Sequence, residues 1–130
     1  MDLSYNALGA SSLSPTLFQS LSKLQLLSLA GNAFSTLPSN LLAGRTNLTD
    51  FYLYENNLST MISLASLSKL SVVSLFDNIF SVSGYNAFLD SFKAVPSSTG
   101  ALYAAPASYG GCIANASLGI SAHNTLSGTK

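Results

Sequence analysis

The chain has 130 residues, 48% of them hydrophobic and only 8% charged, with a formal net charge of zero. This is length for one compact domain, and with neither a basic patch nor an acidic run it is not expected to capture nucleic acid by charge. No stretch of about 18 uninterrupted apolar residues occurs, which argues against a membrane-spanning helix, and the single cysteine, Cys112, excludes an intrachain disulfide.

Four segments recur along the chain: Met1–Leu8 (MDLSYNAL), Leu24–Phe34 (LQLLSLAGNAF), Leu48–Leu58 (LTDFYLYENNL) and Leu70–Phe80 (LSVVSLFDNIF). Each follows L-x-x-L-x-L-x-x-N-x-L, the first entering part-way through. Inside them Leu27-Ser28-Leu29, Phe51-Tyr52-Leu53 and Val73-Ser74-Leu75 have the period of a half-buried strand, with the outer two residues of each triplet inward and the middle one outward. Asn6, Asn32, Asn56 and Asn78 hold the same place in each segment, at intervals of 26, 24 and 22 residues. The strand half is therefore kept while the returning half varies in length. Leu37–Gly44 forms one such return, where Pro38 is harmless because no strand ladder needs its missing donor. The next return, Ile62–Leu67, is shorter.

After Phe80 the pattern lapses. Ser83 is predicted to cap a helix carrying Tyr85, Phe88, Leu89 and Phe92 on one face, ended by Pro96. Gly100–Ala104 reads as one more strand on the same sheet, 105–111 as loop, and Asn115 as the cap of a second helix with Leu118, Ala122 and Leu126 on one side. The Ala, Gly, Ser and Pro content of 96–130 also permits partial disorder. The chain thus divides into repeats over 1–82 and a closing or extending region over 83–130.

The joint recurrence of apolar positions and asparagine resembles the leucine-rich repeat family over residues 1–95. The resemblance implies an α/β solenoid, with a curved parallel sheet on the concave side and irregular, 3-10 or helical returns on the convex side. It also implies that Asn6, Asn32, Asn56 and Asn78 stack into a ladder satisfying the backbone of adjacent coils. An asparagine offers one acceptor and two donors for that task, and each buried group left unpaired would cost about 1–3 kcal/mol. Residues 80–130 are similar, on few positions, to the end of some bacterial leucine-rich repeat surface proteins. Met1 stands where a strand leucine belongs. Repeat arrays need polar caps, so the chain is expected to be a piece of a longer array, with ends open to end-to-end self-association. No signal peptide follows Met1. Serine at the outward positions and three N-x-S/T sequons, at Asn47, Asn57 and Asn115, lean the parent protein toward secretion or the cell surface, although a chain this rich in Asn, Ser and Thr also makes sequons by chance.

Candidate chemistry is sparse. His123 is the only histidine and has no Cys, His or carboxylate cluster near it in sequence. Cys112 lacks a basic neighbour to activate its thiol. Gly110-Gly111 has neither the lysine nor the spacing of a phosphate loop. Asp50, Glu55 and Asp77 lie on strand segments, without the positioned pair that acid–base catalysis needs. No catalysis, cofactor or metal is expected.

The register instead predicts a display surface. Asp2, Ser4 and Tyr5, then Leu26, Ser28 and Ala30, then Asp50, Tyr52, Tyr54 and Glu55, then Val72, Ser74, Phe76 and Asp77 face outward. With strands about 4.8 Å apart, Tyr52 falls between Ser28 and Ser74, and Tyr54 between Ala30 and Phe76. Tyr5, Ser28, Asp50, Tyr52, Tyr54, Glu55, Ser74, Phe76 and Asp77 are the candidate binding residues. Aromatic anchors with a polar rim characterise protein interfaces, while Tyr and Phe also favour strands for their own sake. A sheet only about 20 Å across suits a peptide or loop. The expected function is non-catalytic protein or peptide binding. The alternatives are a structural spacer in a larger surface or adhesin-like protein, or regulatory repeats of an enzyme elsewhere in the parent chain.

Overall fold

The alternating triplets do form strands. In the computed structural model, which describes residues 1–81, 83–85, 87–88 and, for the course of the backbone, 101–103, four strands run parallel: β1 (Leu26–Ser28), β2 (Asp50–Tyr52), β3 (Val72–Ser74) and β4 (Ala101–Tyr103). Their order in the sheet is their order in the chain. Leu27, Phe51, Val73 and Leu102 share one row, and Ser28, Tyr52, Ser74 and Tyr103 the next. Met1–Tyr5 extends the ladder on the open side of β1: Leu3 N–H donates to the Ser28 carbonyl at 2.9 Å and Tyr5 N–H to the Ala30 carbonyl at 2.8 Å. The described residues form a parallel sheet with little helix, an α/β-type arrangement.

Parallel strands need a connection back to the starting end. Here the β1–β2 and β2–β3 connections are chains of i→i+3 turns. Pro38, Asn40, Leu42 and Arg45 carbonyls accept from Leu41, Ala43, Arg45 and Leu48 amides, and Leu64 and Leu67 carbonyls from Leu67 and Leu70 amides. The core lies between these returns and the inward face of the sheet. Leu27, Leu29, Phe51, Leu53, Val73 and Leu75 come from the strand side, and Leu13, Phe18, Leu41, Leu42, Leu64 and Leu67 from the return side. Fully burying such a side chain is worth about 1.5–3 kcal/mol, and this repeated apolar face is what holds short strands together.

The asparagines provide the polar counterpart. Asn32, Asn56 and Asn78 each donate through Nδ2 to their own unit's leucine carbonyl (Leu29, Leu53, Leu75) and to the carbonyl one unit earlier (Leu3, Leu29, Leu53). Through Oδ1 each accepts the amide of Leu8, Phe34 or Leu58 in the preceding unit. Asn6 bonds only within its own segment, to the Leu3 and Ser4 carbonyls. Burial deepens along the series, from exposed Asn6 through half-buried Asn32 to buried Asn56 and Asn78.

The residue before every one of these asparagines is left-handed: Tyr5 has φ 54°, Gly31 61°, Glu55 54° and Asp77 52°. That reversal turns the chain out of the strand and folds the asparagine back under its own carbonyls. Three of the four are non-glycine residues, for which this conformation is uncommon.

Beyond Phe80, residues 83–85 and 87–88 are helical. The cap falls two residues earlier than expected. Ser81 Oγ accepts the Gly84 amide at 3.1 Å and the Ser81 carbonyl accepts the Tyr85 amide at 2.9 Å, while Ser83 lies inside the helix. Ser81 wins because a cap oxygen must reach the amide three positions on. Gly84 permits close packing, since a Cβ there would lie 2.6 Å from the Ser59 carbonyl oxygen. Tyr85 and Phe88 extend the core past Phe80, with ring centroids 6.3 and 6.5 Å apart in sequence of contact Phe88–Tyr85–Phe80. Leu89, Phe92, Cys112, His123, the Gly110-Gly111 turn and the helix expected after Asn115 lie outside the described residues.

Candidate functional site

The outward side of the sheet carries the candidate residues in rows. Tyr52 lies between Ser28 and Ser74, in the predicted register. One step further, Tyr54 lies beside Phe76, fixed by the backbone bonds from Gly31 N–H to the Tyr54 carbonyl and from Glu55 N–H to the Phe76 carbonyl, each 3.0 Å. Tyr54 and Phe76 stack face to face, with centroids 4.5 Å apart and planes 9° from parallel. Aromatic pairs are worth about 0.5–1.5 kcal/mol beyond their area.

Tyr5 completes the group from the first segment. Its ring meets Tyr54 edge-on at 6.5 Å and 65°, and its hydroxyl donates to Glu55 Oε1 at 3.4 Å. The ring lies directly over Gly31, whose missing side chain makes room: a Cβ there would be 2.4 Å from Tyr5 Cδ1. A hydrogen bond with the Tyr54 hydroxyl, lost hydration and the Glu55 charge together push the Tyr5 phenol up to about 12. Tyr5 is nevertheless 64% exposed. Tyr5, Tyr54 and Phe76 thus form one continuous aromatic strip crossing three units.

The carboxylates border it. Glu55 and Asp77 follow the two stacked rings directly in sequence and are exposed. Asp50 is half-buried, accepting the Thr49 hydroxyl at 2.6 Å and the Tyr52 hydroxyl at 3.4 Å. Asp2 accepts the Ser4 hydroxyl and amide, which hold its carboxyl below the usual range.

Two candidates do not belong on a display surface. Ser28 and Ser74 are only 7% and 4% exposed, and Ala30, also expected outward, is fully buried. Each is a short side chain, and Ser28 and Ser74 stand in register with the larger Tyr52. Direction and exposure part company wherever a small residue sits beside an aromatic one. Gly31 was the position missed. It sits one place before Asn32, aligned with Tyr5, Glu55 and Asp77, and that alignment was the available signal.

Among the described residues no three His, Cys, Asp or Glu side chains form a group that could hold a metal, and no helix is long and apolar enough to cross a membrane. A scan against protein-family models and a search of the curated proteins found no match to this chain.

Proposed function

We propose that the chain is a leucine-rich repeat solenoid, its sheet forming a concave face and its turn-built returns a convex one, and that it binds a protein or peptide on the sheet face without catalysis. The aromatic strip carries this reading. Tyr54 and Phe76 are only half-buried and Tyr5 is mostly exposed. Rigid aromatic area on a sheet edged with carboxylates matches the anchors and polar rim of protein interfaces.

The left-handed turn that folds each asparagine back also sets Glu55 and Asp77 directly after the two stacked rings. Because the ladder fixes the strip before any partner arrives, little conformational entropy is lost on binding.

The test compares the chain with Tyr54→Ser and Phe76→Ser variants against peptides selected on the native protein. Both changes remove outward rings without opening the core, so circular dichroism should be unaltered. Binding should fall at least tenfold for either variant, in line with the loss of about 1.4 kcal/mol or more at a binding anchor. Undiminished binding by both would place the site elsewhere.

A further inference from the structure

The neutral net charge hides a separation. All four carboxylate side chains of the described residues, Asp2, Asp50, Glu55 and Asp77, stand at outward positions of the strand segments. None of the three described basic side chains does. Lys23 lies in the turn before β1, and Lys69 lies before β3 with its Nζ 2.8 Å from Asn47 Oδ1. Arg45 is buried on the return, donating to the Phe18 and Ala43 carbonyls. Among the described residues the amino terminus of Met1 is the one positive group at the sheet, and it is held at the edge by the Leu26 carbonyl.

The rings add to the same sign. An aromatic face carries negative electrostatic potential, and the Tyr54–Phe76 pair presents two rings each followed immediately by an acid, Glu55 and Asp77. The sheet face is therefore a strip of aromatic surface with carboxylates and no neutralising lysine or arginine among the described residues. Acidic or polyanionic partners are repelled there, and neutral ones forgo half of what the surface offers.

Building on the reading that this face binds, we infer that its occupant is a cationic peptide segment, an extended stretch bearing arginine or lysine. The aliphatic stems lie along Tyr54 and Phe76, and the charged heads meet Glu55 and Asp77. Arginine fits best, because its planar guanidinium stacks on rings and bonds carboxylates two-pronged in the same pose. Tyr5 closes the strip on the β1 side, so the segment crosses the strands rather than following one of them.

The experiment selects random dodecapeptides displayed on phage against the immobilised full chain. The enriched peptides are then synthesised and titrated by fluorescence anisotropy. Peptides enriched in arginine and lysine are expected, with affinity falling severalfold between 50 and 300 mM NaCl as screening tightens. The double variant Glu55→Gln with Asp77→Asn keeps both rings and suits the left-handed backbone at 77. It should bind these peptides about three- to tenfold more weakly, the sum of two exposed pairs and their ring contacts. Neutral or acidic peptides that need Tyr54 but ignore the double variant would overturn the cationic occupant and leave the binding face standing. Peptides indifferent to Tyr54→Ser, or no enrichment at all, would overturn both.

Discussion

The amide of Leu58 donates to Asn78 Oδ1 at 2.9 Å across a separation of twenty residues, and the same asparagine's Nδ2 holds the Leu53 carbonyl at 2.9 Å and the Leu75 carbonyl at 3.0 Å. One buried side chain thus satisfies backbone groups of two successive units. Replacing it deprives the Leu58 amide and the Leu75 carbonyl of their partner, while the Leu53 carbonyl keeps Asn56 Nδ2 at 3.1 Å. Asn78→Ala should cost about 3 kcal/mol, since each buried group left unpaired costs about 1–3 kcal/mol. Asn6→Ala, which frees only exposed carbonyls, should cost under about 1 kcal/mol by the same reckoning. Urea unfolding of the two variants measures the difference.

Gly31 and Tyr5 should be coupled. Gly31→Ala meets both an unfavourable φ of 61° and the Tyr5 ring 2.4 Å away. The backbone part alone is worth about 1–2 kcal/mol. In a Tyr5→Ala background the ring clash vanishes and only that part remains. A double-mutant cycle on unfolding free energies should therefore show a coupling of about 1 kcal/mol. Strict additivity would mean that the ring swings aside freely.

Arg45 is a buried cation that donates to two carbonyl oxygens, Phe18 at 2.5 Å and Ala43 at 3.3 Å. It ties the first return to the second. Arg45→Ala should destabilise the chain by about 2–4 kcal/mol, through two lost hydrogen bonds to carbonyls and the lost packing of its stem. Arg45→Lys should recover only part of this, because one ammonium cannot reproduce the fork. Thermal denaturation of both variants checks the order.

Two tyrosines should ionise late. Hydrogen bonding to Tyr54 pushes Tyr5, and burial pushes Tyr85, up to about 12 from an ordinary value of 10. The fold favours the neutral phenol in both. Their contribution to stability is present below pH 10 and is lost as the pH climbs from 10 through 12. Absorbance titration of phenolate should show a late component reduced by Tyr5→Phe and, separately, by Tyr85→Phe.

Much of this was legible in the primary structure because the repeat writes inward and outward positions in period two. Leu27, Phe51 and Val73 are fully buried, as the alternation requires, and the strand expected at Gly100–Ala104 is found at Ala101–Tyr103. The stacking neighbour of Tyr54 followed from register alone. Depth did not. Ser28 and Ser74 lie low because of what stands beside them, and a one-dimensional pattern carries no side-chain height. The left-handed turn before each asparagine was also unreadable from Tyr5, Glu55 and Asp77, since none of these residue types signals it as Gly31 does. Arg45 stands outside the repeat pattern, which assigns it no depth. Its burial depends on the carbonyl of Phe18, 27 positions away, which accepts the guanidinium as well as the Leu21 amide.

The sheet order that simply follows the chain makes length an editable property. β1 and β4 never meet, so no closure fixes how many strands the face must have. Duplicating one unit, such as 48–69, in register would widen the face by about 4.8 Å and leave every existing row with the neighbours it already has. Mutation could lengthen the tape without redrawing what is written on it, a freedom that closed barrels and doubly wound sheets lack.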